Sequence, residues 1–365
     1  MDDLVLWIVV ATALAFDFTN GFHDTANAVA TSISTRAMAP KLAVGLAASL
    51  NFVGAFLSLA VAATIATGIV EPDMITPPIV FAGLVGAIAW NLATWYFGLP
   101  ASSSHALIGG VVGSALVAVG PEAVIFSGLV EKVIVPALIA PVLAFVVAGI
   151  AILIIHRIVG RQHPGPVMRG FRLGQIVSGS LFSLSHGTND AQKTMGIIFL
   201  ALVANGNLSQ TDDVPTWVVV SAATAIALGT YVGGWRIIRT MGSRIIKMDP
   251  AQGFAAQSAG AAVIMSASHA GFPLSTTHVI SGAIMGAGAG KRVSAVRWGV
   301  AGNIAVAWVL TLPASAAVGA FTYAVVALLG SETLGPIVVS AVLVAALSVA
   351  LGRRLLAGRT LTAEG

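Results

Sequence analysis

The 365-residue chain contains no cysteine. Disulfides, thiolate metal sites and thiol chemistry are therefore excluded. Charge is scarce as well. Only 9% of residues are Asp, Glu, Lys or Arg, where a soluble globular domain carries about 25%. The short alternating segments of a transmembrane β-barrel are missing. No basic stretch precedes the apolar residues 4–16, so no cleavable signal peptide is expected. No HExxH or similar zinc pattern occurs, and the histidines are dispersed.

What is present is apolar. Hydrophobic residues make up 57% of the chain, in stretches long enough to cross a bilayer, which takes about 20 residues each. The expected fold class is an all-α polytopic membrane protein. The net charge of +4 would suggest nucleic acid in a soluble protein. Here the basic residues lie in loops, so the expected partner is the lipid bilayer and no nucleic acid.

All Lys and Arg except Lys132 and Lys193 fall in five places: 36–41, 157–172, 236–247, 291–297 and 353–359. The positive-inside rule puts these in the cytoplasm. The loops around Asp2, Glu71, Glu122, Asp212 and Glu332 are poor in Lys and Arg and belong outside. The resulting plan has a first repeat (1–156), a basic cytoplasmic linker (157–172), a second repeat of opposite orientation (173–330), and an extra helix near 336–352 with a cytoplasmic tail (331–365). The N-terminus is outside, the C-terminus inside. This is an inverted-topology repeat.

Residues 3–35 and 173–204 each make one net crossing with more residues than a straight span needs. Breaks are expected near Asn20-Gly21 and near Gly187. Two hairpins are expected to turn within the membrane, at Gly98-Leu99-Pro100 and Gly271-Phe272-Pro273. Irregular backbone at that depth is tolerated where it lines a cavity or is buried in protein. Matched irregular segments in two halves point to a transporter's binding site.

The run NGFHDTANA (Asn20 to Ala28) returns, altered, as HGTNDAQKT (His186 to Thr194), 166 residues later. Each copy puts an aspartate in an apolar stretch, where a carboxylate marks a pathway or ion site. Asn20, Asp24 and Asn27, then Asn189, Asp190 and Gln192, offer oxygens that suit hard cations or protons. Spacings of three and four place Asn20, Asp24 and Asn27 on one helix face. The hairpin motifs GLPASSSHALIGG and GFPLSTTHVISG place Ser102, Ser103 and Ser104, and Ser275, Thr276 and Thr277, at helix starts. Free N–H groups, the positive dipole end and hydroxyls together form an anion site. The blander alternative is a pair of N-caps; doubling beside the doubled aspartate motif favours the site. A carboxylate that accepts a hydrogen bond from the substrate favours phosphate, which carries a proton near neutral pH, over sulfate. Lys193 either contacts the anion or pairs with Asp190 or Asp17. Asp17 has Ser183 as its repeat counterpart and ranks below Asp24. His23, His186, His105 and His278 are proton-relay candidates, against packing roles for the same side chains. Asn51, Asn91 and Asn303 are read as helix–helix contacts.

The runs DFTNGFHDTANAVATSISTRAM, WNLATWYFGLPASSSHALIGG, SHGTNDAQKTMGII and PLSTTHVISGAIMG resemble the inorganic phosphate transporter (Pit) family across nearly the whole chain. The resemblance implies secondary active uptake of inorganic phosphate with a cation across the plasma membrane. It implies that Asp24, Asn27, Asn189, Asp190, Gln192, Ser102 to Ser104 and Ser275 to Thr277 meet at the substrate. Histidine before the first aspartate resembles the bacterial branch described as proton-coupled, often carrying phosphate with a divalent metal. Asn189 in the second copy resembles sodium-coupled members, with sodium then held at Asp24, Asn27, Asp190 and Asn189. The proton is favoured and sodium is the alternative. A homodimer is an expectation from the resemblance alone. No resident cofactor is expected. Competing readings are a sulfate symporter on the same scaffold, an ion channel, and a membrane enzyme. The last lacks an activated nucleophile: neither Ser103 nor Thr276 has an evident Asp–His partner in sequence.

Overall fold

In the computed structural model, residues 2–330 and 333–345 are described. They form helices α1 (Asp2–Ser34), α2 (Pro40–Gly54), α3 (Ala60–Thr67), α4 (Pro77–Phe97) and α5 (Ser103–Ala118). A single turn, α6 (Phe126–Gly128), runs through a π-helical segment into α7 (Val135–Val159). Then come α8 (Pro164–Ala204), α9 (Thr216–Val232), α10 (Trp235–Arg239), α11 (Pro250–His269), α12 (Thr276–Lys291) and α13 (Trp298–Leu328). A last apolar helix, α14, covers Leu334–Ala345; the rest of the expected 336–352 span and the tail lie outside the described residues. Extended pairing among the described residues is an isolated bridge between Val70 and Val124. The all-α class is thus as expected. Prolines open α2, α4, α8 and α11, where a missing N–H costs nothing.

Among the described residues, four helical stretches are long and apolar enough to cross a membrane: Asp3–Ser34, Pro77–Phe97, Phe126–Val159 and Trp298–Leu328. The pair α9–α10, bent by 59°, would make a fifth. The basic segment 157–172 is shorter as a loop than expected. Only 160–163 lies between α7 and α8. Arg169 and Arg172 ride on an exposed first part of α8, because a helix leaving the bilayer has no reason to unwind in water.

The hairpin turns fall where expected. Gly98 and Gly271 both take the left-handed conformation, φ 66° and 75°, which glycine adopts without strain. The other two expected breaks are not there. α1 is continuous over 33 residues and α8 over 41. The glycines in question serve close packing instead. A Cβ on Gly21 would overlap the backbone of Ile226 and Thr230 in α9, and a Cβ on Gly187 would overlap the backbone of Asn51 in α2. The reciprocal glycines are Gly229 against Phe18 and Gly54 against Leu184. The irregular backbone sits one element later in each half, at 55–59 between α2 and α3 and at Gly233-Gly234 between α9 and α10.

These contacts interleave the halves. α1 packs on α9 and α8 on α2; α5 packs along α13 and α12 along α7. Two apolar clusters result. One joins 5–16 of α1 to 195–202 of α8 and to α3, α4, α5 and α9. The other joins 26–30 of α1 to Phe182 of α8 and to α2, α7, α11 and α12. α1 and α8 therefore traverse the clusters in opposite senses. Between the clusters lies a layer of buried polar residues, 17–27 and 183–194 among them. Asp73 accepts a hydrogen bond from Gln210 at one end. At the other end Lys291 pairs with Asp249 at 2.9 Å and Arg297 bonds Ser243. The acidic and basic loops thus collect at opposite ends.

Candidate substrate and ion site

The polar layer brings the four motifs together. Asp24, Asp190, Ser102 to Ser104, Ser275 to Thr277, Asn20, Asn27, Asn189, Gln192, Lys193 and His23 are all at most 3% exposed. Buried polar atoms at such depth need partners, and most are found within the layer.

Asp24 Oδ2 accepts from Ser103 Oγ at 2.8 Å. Its Oδ1 meets His23 Nδ1 at 2.6 Å and accepts from Thr277 Oγ1 at 3.3 Å. Asp190 repeats the arrangement from the other half. Its Oδ1 pairs with Lys193 Nζ at 2.5 Å, and its Oδ2 lies 3.2 Å from His186 Nε2 and accepts from Thr276 Oγ1 at 3.3 Å. Ligand atoms of Asp24, His186 and Asp190 all lie within 4.8 Å of one another. The two carboxylates, read from sequence as a pair, meet at one point.

The hydroxyl triplets divide their work by position. The first of each is the N-cap: Ser102 accepts from His105 N at 3.1 Å and Ser275 from His278 N at 3.2 Å. The capping alternative therefore holds for Ser102 and Ser275. The second hydroxyls, Ser103 and Thr276, bond the aspartate of their own half. The third cross over. Lys193 Nζ donates to Ser104 Oγ at 2.5 Å and to Leu274 O at 2.9 Å. Asn27 Nδ2 donates to Thr277 Oγ1 at 2.9 Å. Asn27 and Lys193 are counterparts in the repeat, so one approximate two-fold relates these contacts.

Lys193 pairs with Asp190 and Ser104, which settles its partner against Asp17. Gln192 faces elsewhere than expected for a substrate ligand. Its Oε1 accepts from Val61 N and Ala62 N at 2.8 and 3.2 Å, capping α3 after the 55–59 break. Asn189 Nδ2 bonds Ser268 Oγ at 2.8 Å and the Phe272 carbonyl at 3.3 Å, pinning the second hairpin turn. The oxygens Asn27 Oδ1, Asn189 Oδ1 and Asn20 Oδ1 have no hydrogen-bond partner.

His23 Nε2 reaches Thr94 Oγ1 at 3.0 Å, and Thr94 in turn donates to Trp90 O at 2.8 Å. A hydroxyl has one proton, so in this arrangement Thr94 accepts and His23 Nε2 carries the donor. His23 Nδ1 faces Asp24 Oδ1 at 2.6 Å. Thr94 also lies on the wall of a groove of about 380 Å³ between α4 and α13. His105 and His278 meet edge to face, ring centroids 4.8 Å apart, and His278 stacks on Trp308 at 4.1 Å. Both nitrogens of His278 lack hydrogen-bond partners. Sequence alone does not reveal Thr94 or the capping role of Gln192; neither has a repeat counterpart that could flag it.

With this geometry in view, the comparisons are specific. A family model described as "Phosphate transporter family" matches residues 20–319. A "Probable low-affinity inorganic phosphate transporter" of Mycobacterium bovis is 57% identical over 327 residues, 89% of this chain and 78% of that one. One of the same description from Bacillus subtilis is 48% identical over 318 residues, covering 87% and 95%. A solved structure titled "The sodium-dependent phosphate transporter" superposes with TM-score 0.80 at 25% identity, covering 89% of this chain and 99% of that chain.

Proposed function

This chain belongs to the phosphate transporter family, and from that premise we propose that it imports inorganic phosphate across the plasma membrane with a coupled cation, by alternating access. The observation that carries this reading is the convergence of both aspartates and both hydroxyl helix starts in one buried layer. Ser103, Ser104, Thr276 and Thr277 stand at or near the N-termini of α5 and α12, where backbone N–H groups and the helix dipole favour an anion. Their hydroxyls bond Asp24, Asp190, Asn27 and Lys193. Phosphate entering between them would take over hydroxyl and ammonium donors now spent within the layer. Its own proton would be donated to a carboxylate, which sulfate lacks at neutral pH. Asn27, whose amide donates to Thr277, supplies a neutral unpartnered oxygen beside the carboxylates.

A cation is required by charge alone. The centre of the layer holds Asp24 and Asp190 against Lys193. Adding an anion to two carboxylates and one ammonium is prohibitive in a medium of low dielectric. The proton is the favoured partner. His23 Nδ1 and Asp24 Oδ1 stand 2.6 Å apart, close enough to pass one between them, and His186 Nε2 lies 3.2 Å from Asp190 Oδ2 without a formed hydrogen bond. Sodium at Asp24, Asp190, Asn27 and Asn189 is the alternative, and the sodium-dependent structural neighbour favours it. A divalent metal carried with phosphate would be cargo.

The test is labelled phosphate uptake into proteoliposomes under an imposed proton or sodium gradient, with excess sulfate as competitor. Stimulation by the proton gradient, resistant to sulfate, is expected. Stimulation by sodium alone would overturn the proton assignment. Uptake blocked by sulfate would move the substrate to that anion.

A further inference from the structure

The mechanism above leaves one buried charge unused. Asp17 is 0% exposed, and neither carboxylate oxygen has a hydrogen-bond partner. Three residues along the same face of α1, Asn20 is buried with both side-chain atoms equally unpartnered. Thr194 of α8, also buried, has an unpartnered hydroxyl. The Asn20 amide and the Thr194 hydroxyl are the neutral donors that face the Asp17 carboxylate, and neither closes to full hydrogen-bond geometry. A buried carboxylate with an amide and a hydroxyl beside it and no ion pair of its own offers hard oxygens to one small positive charge.

The charged groups felt at Asp17 are Asp190 and Lys193. Lys193 is committed to Asp190 and Ser104, so it does not neutralise Asp17. The adjoining helices α4 and α9 carry no Asp, Glu, His, Lys or Arg. An isolated carboxylate in such a place is too costly to persist as a bare anion.

The site is also asymmetric. The counterpart of Asp17 in the second repeat is Ser183, whose hydroxyl merely bonds back to Gly179 O at 2.8 Å. The counterpart of Asn20 is His186, already bound to the central site. Asp17 therefore stands outside the two-fold scheme that builds the substrate layer.

We propose that Asp17, flanked by Asn20 and Thr194, is a third coupling site that takes up one positive charge, a proton or a sodium ion, in each transport cycle. The occupant's shared chemistry is a single small hard cation. It binds a carboxylate with neutral oxygens beside it and makes no contact with the transported anion. This inference rests on the phosphate-import reading. It adds one charge to the stoichiometry that Asp24 and Asp190 alone would give.

The test is the membrane voltage at which labelled phosphate flux reverses in proteoliposomes, under a fixed phosphate gradient with a proton or a sodium gradient. That voltage reports charges carried per phosphate. In Asp17→Asn the ratio is expected to fall by one, and the gradient whose contribution drops identifies the occupant. An unchanged ratio under both gradients would overturn the proposal. Should Asp17→Asn fail to insert, Thr194→Val keeps the carboxylate and removes one flanking oxygen. It is expected to raise the cation concentration for half-maximal uptake about tenfold, the loss of roughly 1.4 kcal/mol of binding. No change there would equally overturn it. Absence of phosphate uptake by the unaltered protein would instead defeat the underlying reading.

Discussion

Asp24 and Asp190 are equivalent by repeat but not by charge environment. Asp24 faces neutral hydroxyls, His23 and, through Thr277, Asn27. Asp190 faces an ammonium at 2.5 Å. Substitution should separate the two. Asp24→Asn retains an oxygen to accept from Ser103 and loses the ability to hold a proton or cation. It is expected to insert and melt near the unaltered protein but to lose coupled phosphate uptake. Full uptake by a stably folded variant would remove Asp24 from coupling. Lys193→Met does something different, leaving Asp190 buried without its counter-charge. Breaking one side of a buried pair costs about 3–5 kcal/mol, so a clear drop in thermal stability in detergent is expected. Asp190→Asn in the same chain should restore part of it. A single variant as stable as the parent would mean that the pair contributes little. At this scale the sequence is informative wherever a residue has a partner copy. Asp24, Asp190 and the second and third hydroxyls are readable from doubling alone. Ser102 and Ser275 look the same as their neighbours, because only backbone geometry distinguishes a cap from a ligand. Gln192 reads as a substrate ligand in sequence because the α3 terminus that it caps follows a break with no Gly or Pro in it.

The elements teach a related lesson about glycine. Asn20-Gly21 and Gly187 resemble helix breaks because each helix is too long for one perpendicular crossing. A helix of 33 residues spans about 50 Å at 1.5 Å per residue, against a core of about 30 Å. Tilt and protrusion absorb the excess without a break. The glycines answer to contact across helices, not to conformation along one, and a single sequence does not show who the neighbour is. The contact can be tested. Gly21→Ala or Gly187→Ala forces a methyl into the backbone of α9 or α2, and overpacking of this kind costs about 1–3 kcal/mol. A methyl added at Gly45 of α2 would meet open space, with nothing within 4 Å. Gly45→Ala should therefore gain about 0.5–1 kcal/mol from helix propensity. Melting curves of the three variants in one detergent would check the order. A Gly187→Ala protein as stable as Gly45→Ala would contradict the close approach of α8 and α2. The hairpin glycines are legible for the opposite reason. Gly98 and Gly271 each lie two residues before a proline, a local turn signal that needs no knowledge of the partner helix.

For the whole molecule, inverted orientation follows from how the chain passes between two apolar clusters, α1 in one sense and α8 in the other. The distribution of charge adds a direction in the cell. Asp73 and Asp212 sit at one end, and Lys41, Lys291 and Arg297 at the other. By the positive-inside rule the second end is expected to face the cytoplasm. That pattern is legible because it depends on counts of Lys and Arg in loops, and needs no contact map. The interleaving is not legible, since packing α5 on α13 and α12 on α7 depends on which faces meet. Orientation is unusually easy to test here, because the chain has no cysteine to create background. Asp213→Cys and Arg161→Cys each place a thiol at an exposed position, on opposite ends of the bundle. A membrane-impermeant maleimide applied to intact cells is expected to label the first and spare the second until the membrane is opened. The reverse pattern would invert the protein in the bilayer while leaving every internal contact intact. It would also reverse which of the two ends phosphate enters from, because an inverted repeat is nearly blind to direction and the loop charges are what break the tie.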